Sequence, residues 1–183
     1  TQQLVADGLV SAGHDRSDGG LATTLLEMAF AGNCGIEVEL PAVADPIAFL
    51  FAEELGLVLE VADEHQPDVV AAFRGAEVPC VTIGRTLPDP SVTLRCDGDA
   101  VLVADMRDLR DLWEATSFEL DRLQADPAHV EQEQSGLRER TAPPFSLTYS
   151  PQPTAPEVLA AADKIPVAIV REEGSNGDRE MAS

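Results

Sequence analysis

The feature that most constrains the fold is a helix and a strand joined by a short turn near the start of the chain. Over residues 21–31 apolar side chains recur at the spacing of one helix face, led by Leu21, Leu25 and Met28. Residues 32–35 supply the glycine and asparagine that typically end helices. Residues 36–40 then alternate apolar and acidic side chains, as a half-buried strand does. The pattern predicts a domain in which helices cover a sheet.

Further patterns place helices and strands in alternation up to residue 123. We predict helices over residues 2–10, 67–74 and 106–123, a short helix or turn over 46–51, and strands over 57–61, 81–85, 92–96 and 100–103. Asp97-Gly98 is typical of a hairpin turn. The last helix is expected to have one apolar side, made of Leu109, Leu112, Trp113, Thr116 and Leu120. A hairpin added to alternating helices and strands predicts the α/β class, with a mixed sheet covered by helices.

The composition changes after residue 123. Prolines recur among polar and small residues without an apolar period, which predicts a linker over residues 124–164 that is partly extended and partly short helix. Residues 165–170 return to an apolar run, followed by a loop rich in glycine and polar residues, and this predicts a strand that leads into a loop. The expected organisation is a domain over residues 1–123, the linker, and the start of a further domain over 165–183.

The charge of the chain excludes some classes of partner. It carries 12 Lys and Arg against 33 Asp and Glu, for a formal net charge of −21. Nucleic acids and anionic membranes both select basic faces, so we expect neither as a partner. Three cysteines without CxxC spacing indicate free thiols in a reducing cytosol, and we expect a cytoplasmic protein. Because the chain begins with Thr1 rather than Met, we also expect it to be a piece of a longer protein.

Residues with chemical potential are concentrated in the run Gly13–Gly20, directly before the apolar helix. Its glycines and the free N–H groups of a helix start favour an anion such as phosphate. Asp15 would repel a bare phosphate, whereas Mg²⁺ bridges carboxylate and phosphate oxygens. This assigns Asp15 to the metal and Ser17 to a nucleotide. On spacing alone a second interpretation stays open, in which Ser17 or Asp18 caps the helix and the glycines turn the chain.

Three runs in the first domain resemble one enzyme family. HDRSDGGL at residues 14–21, LEMAFAG at 26–32 and LFAEELG at 50–56 closely resemble the large single-chain phosphoribosylformylglycinamidine synthases. The run VAIVREEGSNGDREM at 167–181 resembles the opening of the glutaminase domain of that family. The HDxSDGG element is shared with aminoimidazole ribonucleotide synthetase, selenophosphate synthetase and thiamine-monophosphate kinase, so the tail is what distinguishes the first family.

The resemblance implies part of a ligase of purine biosynthesis. The family uses ATP, Mg²⁺, glutamine and water to convert formylglycinamide ribonucleotide to formylglycinamidine ribonucleotide. Residues 1–123 would form the AIR-synthase-like C-terminal domain of its second synthetase half, and residues 165–183 the first strand of a class I glutaminase domain. The family's aspartate that matches Asp15 binds Mg²⁺, and the serine that matches Ser17 contacts ATP or ADP, at an auxiliary nucleotide site. The implied partners are the remaining domains of the same polypeptide and the small-molecule substrates.

The same resemblance implies that this chain alone is inactive. The glutaminase nucleophile of the family is a cysteine at a strand-to-helix elbow, whereas Cys34, Cys80 and Cys96 match no such elbow and are interpreted as structural. No catalytic residue is therefore assigned. For the loop Gly174–Asn176, a border of the glutamine pocket and a simple turn both stay open. So does an alternative function, a non-catalytic scaffold module that is stabilised by its nucleotide and docks a glutaminase domain.

Overall fold

Helices and strands alternate along this computed structural model, which describes residues 1–140, 146–163, 166–171, 177 and 181. The strands of the described part are β1 (Ala12–Asp15), β2 (Gly35–Leu40), β3 (Leu57–Glu60), β4 (Gly84–Leu87), β5 (Ser91–Cys96) and β6 (Asp99–Asp105). The helices are α1 (Gln2–Ala6), α2 (Gly20–Gly32), α3 (Pro46–Phe51), α4 (Gln66–Gly75), α5 (Met106–Asp121), α6 (Pro127–Gly136) and α7 (Pro156–Leu159), with a 3-10 turn at Leu137–Glu139. The chain divides into two compact units, Thr1–Ala142 and Pro143–Ser183.

A mixed four-stranded sheet forms the centre of the first unit, with its strands in the order β4, β2, β5, β6. β2 runs parallel to β5, whereas β4 and β6 pair antiparallel with their neighbours. The β5–β6 hairpin turns at Asp97 and Gly98, whose φ angles of 53° and 81° are those that a tight hairpin turn requires. The α/β class and the mixed sheet are confirmed. A strand was predicted over residues 81–85. The observed strand, Gly84–Leu87, begins three residues later and pairs with β2.

Helix α2 covers one face of this sheet and forms the main core with it. Val92 and Leu94 at the centre of β5 are 0% and 1% exposed. Burying a side chain of this size contributes about 1.5–3 kcal/mol. The opposite face is exposed and carries the ion pair between Glu37 and Arg85. The core combines residues of α2, β2, β5, α3 and α5: Leu21, Ala22, Leu25, Ala29, Ile36, Val38, Leu40, Val92, Leu94, Leu50 and Met106.

A second sheet, which the sequence did not predict, pairs β1 with β3 antiparallel. Ala12 lies opposite Glu60 and Asp15 lies opposite Leu57. The pattern of residues 13–20 predicts only a loop, because β1 contains Gly13 and has no β-branched side chain. The consequence for the site is that Asp15 lies at the end of a strand and not within a free loop.

Helix α5 begins where predicted, but its buried side differs from the predicted one. Leu112 and Leu120 are 75% and 58% exposed, whereas Arg110 is 3% exposed. The Arg110 guanidinium donates to Asn33 Oδ1 at 3.0 Å and to the Leu137 carbonyl at 2.6 Å. Its burial lowers the pKa of Arg110. Arg110 thereby connects the end of α2, helix α5 and the 3-10 turn, a role that apolar periodicity does not reveal.

The first unit extends past residue 123, where the linker was expected to begin. Helix α6 begins at Pro127, and the Asp126 carboxylate accepts a hydrogen bond from the Ala128 N–H at 2.8 Å. Val130 and Leu137 are buried against Phe118 of α5 in a second small core. Proline suits the first position of a helix as well as a linker, so its presence does not distinguish the two structures.

The second unit contains α7 and no strand among its described residues. The strand predicted over residues 165–170 is therefore not found at 166–170, where the described residues offer no neighbouring strand to pair with. The loop Gly174–Asn176 lies outside the described residues. In the described part of the chain, no helix has both the length and the apolar character needed to cross a membrane.

Candidate functional site

The run from His14 to Gly20 links the end of β1 to the start of α2. Gly19 and Gly20 have φ angles of 78° and 69°, and the Gly20 N–H donates to the Ser17 carbonyl at 2.9 Å to close a turn. A Cβ on Gly20 would lie 2.7 Å from the Leu50 carbonyl oxygen. Gly20 is therefore required by packing against α3, whereas the sequence suggested that the glycines make room for a ligand.

Neither Ser17 nor Asp18 caps α2, so the interpretation of the loop as a capped helix start is wrong. The N-cap residue is Gly19, which has no side chain to accept a hydrogen bond. Ser17 and Asp18 are both exposed, and within the described residues their side chains take part in no hydrogen bond or ion pair. The Ser17 hydroxyl is thus available to a ligand.

Asp15 presents a free carboxylate beside a firmly held main chain. Its side chain is 70% exposed, and its carboxylate accepts no hydrogen bond from the described residues. Its main-chain carbonyl lies 3.1 Å from Thr24 Oγ1 and 2.7 Å from His14 Nδ1. Thr24 is 2% exposed and also lies 3.0 Å from the Gly20 carbonyl, so this buried hydroxyl connects α2 to the end of β1.

The imidazole of His14 contacts Asp15 on one side and Glu27 on the other. His14 Nε2 lies 3.0 Å from Glu27 Oε2, and both side chains are about 30% exposed (30% and 29%). His14 Nδ1, besides its contact with the Asp15 carbonyl, lies 3.6 Å from the Asp15 carboxylate. The contact between His14 and Glu27 therefore connects β1 to α2 next to Asp15.

Arg16 fixes the loop from the side of α3. Its side chain is only 12% exposed, its Nε donates to the Ala52 carbonyl at 3.0 Å, and its Nη2 donates to the Phe49 carbonyl at 2.7 Å. Its Nη1 lies 3.6 Å from Glu54, and its main-chain N–H donates to the Gly56 carbonyl at 2.9 Å. The run LFAEELG at residues 50–56 is thus brought against the run HDRSDGGL. Sequence analysis recognised both runs but not their contact.

The helix start does not offer all of its N–H groups to an external anion. The Gly19 N–H donates to Glu53 Oε1 at 3.1 Å. A carboxylate of the chain therefore already occupies one donor that the sequence assigned to phosphate. The polar side chains that remain exposed in this loop are those of Asp15, Ser17 and Asp18.

An open groove of about 550 Å³ lies beside β1. Asp15 and His14 contribute to its lining, and the apolar side chains of Val5, Val10 and Leu57 do so as well. An apolar lining combined with a few polar groups is the usual composition of a small-molecule site. The groove therefore gives Asp15 a space in which a ligand can approach it.

The donor set at Asp15 fits Mg²⁺ only as part of a larger coordination shell. The described residues contain no group of three or more His, Cys, Asp or Glu side chains able to hold a metal ion together. Mg²⁺ commonly binds through one or two carboxylates, with phosphate oxygens and water completing its octahedron. A single free carboxylate fits that mode and does not fit a metal cage built by this chain alone.

Four residues of the site were missed by sequence analysis as contributors: Thr24, Glu27, Arg16 and Glu53. Thr24 and Glu27 lie on the predicted helix α2, and their relation to Asp15 depends on β1, which was not predicted. The main contacts of Arg16 are backbone carbonyls more than 30 residues away (Phe49 and Ala52). No pattern in a single sequence signals such contacts.

Comparison with known proteins gives one match to a domain family. A family described as "AIR synthase related protein, C-terminal domain" matches residues 1–97. These residues contain β1, α2 and the loop between them.

Two curated relatives align with the whole chain. The human protein named phosphoribosylformylglycinamidine synthase is 49% identical, and the Arabidopsis thaliana protein named probable phosphoribosylformylglycinamidine synthase, chloroplastic/mitochondrial, is 44% identical. The alignments cover 100% of this chain but only 14% and 13% of those relatives. Among solved structures, T. maritima PurL complexed with ATP matches with a TM-score of 0.54 at 19% identity, over 57% of this chain and 19% of that chain.

Proposed function

The chain belongs to the family of AIR synthase related proteins, through their C-terminal domain, and we propose that it supplies a Mg²⁺–nucleotide site to a phosphoribosylformylglycinamidine synthase. In this proposal the chain is part of a ligase of purine biosynthesis that consumes ATP and glutamine. The support is twofold. The relatives that align with the whole chain carry that name, and the Asp15 carboxylate is exposed beside a groove.

The observation that carries the proposal is the contrast between the two parts of Asp15. Its main chain is paired in β1 and its carbonyl is contacted from two sides, whereas its carboxylate is 70% exposed, accepts no hydrogen bond within the described residues and has the His14 imidazole 3.6 Å away. A fixed backbone and an exposed carboxylate suit a metal ligand, because the main chain holds the side chain in position while its oxygens stay accessible to a cation.

The chain's own residues would bind and orient the nucleotide. When bound, Mg²⁺ neutralises phosphate charge and fixes the position of the phosphate oxygens. The Asp15 carboxylate would hold the metal, and the Ser17 hydroxyl would hydrogen-bond to the nucleotide. No residue of the chain is assigned a step in the reaction itself, and the remaining metal ligands would come from water, phosphate and other domains of the protein.

The proposal has three further parts, which concern the glutaminase domain, the partners and the location. The run at residues 167–181 is proposed to begin a glutaminase domain, on the resemblance of its sequence alone. The partners are proposed to be the other domains of the same polypeptide, in line with the small share of its relatives that the chain covers. A cytoplasmic location is proposed from the three free thiols, which suit a reducing compartment.

The test is the variant Asp15→Asn in the complete protein. We expect Mg²⁺-dependent retention of ADP to fall by about tenfold or more, because the amide is a weaker ligand than the carboxylate for a hard cation. Retention is measured by equilibrium dialysis of radiolabelled ADP with and without Mg²⁺. Asp18→Asn is the matched control, since Asp18 lies in the same loop and is exposed.

Two outcomes of the Asp15→Asn experiment would change the proposal. Equal retention by wild type and Asp15→Asn would show that Asp15 does not bind the metal. Loss of nucleotide and of thermal stability, with an unchanged catalytic rate per folded molecule, would favour the scaffold function over a site that turns over its nucleotide.

A further inference from the structure

Glu27 and His14 form a chain of contacts that ends on Asp15, and the proposed function uses neither of them. Glu27 Oε2 lies 3.0 Å from His14 Nε2. The other ring nitrogen, Nδ1, lies 2.7 Å from the Asp15 carbonyl oxygen and 3.6 Å from the Asp15 carboxylate. Each nitrogen of the imidazole therefore lies within 3.0 Å of an oxygen, and which nitrogen donates depends on the tautomer of the ring.

This arrangement restricts the orientation of the imidazole. A ring with one partner can turn about its bonds, whereas a ring engaged at both nitrogens has a fixed plane. His14 lies on β1, where it is paired with Val58, and Glu27 lies on α2, so the two ends of the contact are held by different elements. The imidazole is thus fixed directly beside the main chain and the carboxylate of Asp15.

Other acidic residues near the loop do not contact the His14 imidazole in the described part of the chain. Glu53 contacts the Gly19 N–H, and Glu54 contacts Arg16, so both act on the far side of the loop. Thr24 contacts the same Asp15 carbonyl from α2, but its hydroxyl is not in contact with the carboxylate. Of the contacts that the structure describes, that of His14 reaches both the main chain and the carboxylate of Asp15, and Glu27 holds His14 in place.

We propose that Glu27 is a positioning residue for metal binding at Asp15, acting through His14. By fixing the imidazole, Glu27 holds the ring beside the Asp15 carboxylate and limits how that carboxylate can turn. Carboxylates that orient the ligands of a metal from behind change metal affinity by about 10- to 100-fold when they are removed. The inference rests on the proposed Mg²⁺–nucleotide site.

The experiment measures ADP binding to the complete protein with Mg²⁺, with Mn²⁺ and without metal. The part of the binding that Asp15→Asn abolishes defines this site. For Glu27→Ala we expect ADP affinity in the presence of metal to fall by about tenfold, and metal-free ADP affinity to be unchanged, because Glu27 acts through the metal ligand. The electron paramagnetic resonance spectrum of bound Mn²⁺ should broaden as its coordination becomes less uniform.

Two further variants keep the test decisive. Glu27→Gln retains a side-chain oxygen for the ring N–H and should restore most of the metal-dependent affinity. Glu37→Ala removes a carboxylate of the same unit that pairs with Arg85, away from the loop, and should change neither affinity.

The outcomes separate the inference from the function on which it rests. If Glu27→Ala lowers metal-bound and metal-free affinity by the same factor, or lowers neither, Glu27 has no positioning role at the metal. If wild type and Asp15→Asn bind ADP identically in all three conditions, the site itself is absent and the inference fails with it.

Discussion

Gly20 shows how a single missing side chain can shape the candidate site. Its backbone lies against the end of α3, and its φ of 69° is one that other residues rarely adopt. The close approach keeps Arg16 within reach of the carbonyls of Phe49 and Ala52. The glycine therefore serves the position of the loop, and the loop in turn places Asp15 and Ser17.

We predict that Gly20→Ala destabilises the chain by about 2 kcal/mol or more, because the new Cβ meets backbone atoms and the φ angle becomes strained. Urea unfolding monitored by circular dichroism measures the change. Gly75→Ala is the control. Its Cβ would meet nothing within 4 Å and its φ is not positive, so the free energy of unfolding should change by less than about 1 kcal/mol. Equal stability of the two variants would contradict the packing role of Gly20.

The sequence could identify Asp15 and Ser17 as candidates, because their types and spacing suit a metal and a nucleotide. It could not predict that Thr24 is buried against the Asp15 carbonyl or that Arg16 reaches across to α3. Those contacts depend on the β1–β3 pairing, and β1 is a four-residue strand whose only signal would have been its partner. The residues that support the site are therefore the part that required a structure.

At the scale of the element, α5 depends on its first residues. Asp105 caps the helix: its carboxylate accepts a hydrogen bond from the Arg107 N–H at 2.8 Å and pairs with the Arg107 guanidinium at 2.9 Å. The Arg107 side chain, followed by its main-chain N–H, lowers the pKa of Asp105. Ionised Asp105 therefore stabilises the folded state above the unfolded-state pKa of about 3.9, and this contribution is lost as the pH falls through the lower pKa of the folded state.

We predict that wild type exceeds Asp105→Asn in stability by about 1 kcal/mol or less at pH 7, because the pair is partly exposed and asparagine still caps the helix. The difference should shrink as the pH falls below about 4, as the carboxyl of wild type takes up a proton. Chemical unfolding across a pH series measures it. Asp99→Asn is the control, because it removes the same charge from a side chain without a hydrogen bond in the described part of the chain. A difference that stays constant with pH would contradict the ionised cap.

The elements themselves were largely predictable where a strong period exists. Helix α2 and strands β2, β5 and β6 carry regular apolar patterns and were predicted close to their observed bounds. The buried side of α5 was not, because Arg110 lies in the interior, where its two terminal nitrogens donate to Asn33 and Leu137. Apolar periodicity treats every arginine as exposed and therefore selects the wrong side of such a helix.

At the scale of the whole molecule, the first unit includes α6 and the 3-10 turn. Leu137 is 1% exposed and is packed with Phe118 and Val130. We predict that Leu137→Ala destabilises the unit by about 2 kcal/mol or more, because it leaves a cavity in this second core. Urea unfolding of the chain measures it, with Leu123→Ala as the control, since Leu123 is 83% exposed. Equal stability of the two variants would show that the packing of Leu137 against Phe118 and Val130 does not stabilise the unit.

The division of the chain was predictable only in part. The change in composition after residue 123 is real, but it marks neither the end of packing nor the end of helical structure. A helix whose buried side consists of Val130 alone has no apolar period to detect. Its contribution to the core depends on residues of α5 and of the 3-10 turn, so only the folded unit reveals it.

The order of the strands has a consequence for how the chain acquires its binding site. β2 and β5 lie side by side, yet residues 41–90 separate them in the chain, and this excursion carries β3, the partner of β1. Closing so long an excursion is slow in comparison with winding a helix. We therefore expect the site around Asp15 to form late in folding, after α2. A nucleotide bound at this site would stabilise the completed fold, because partly folded chains lack the site and cannot bind it.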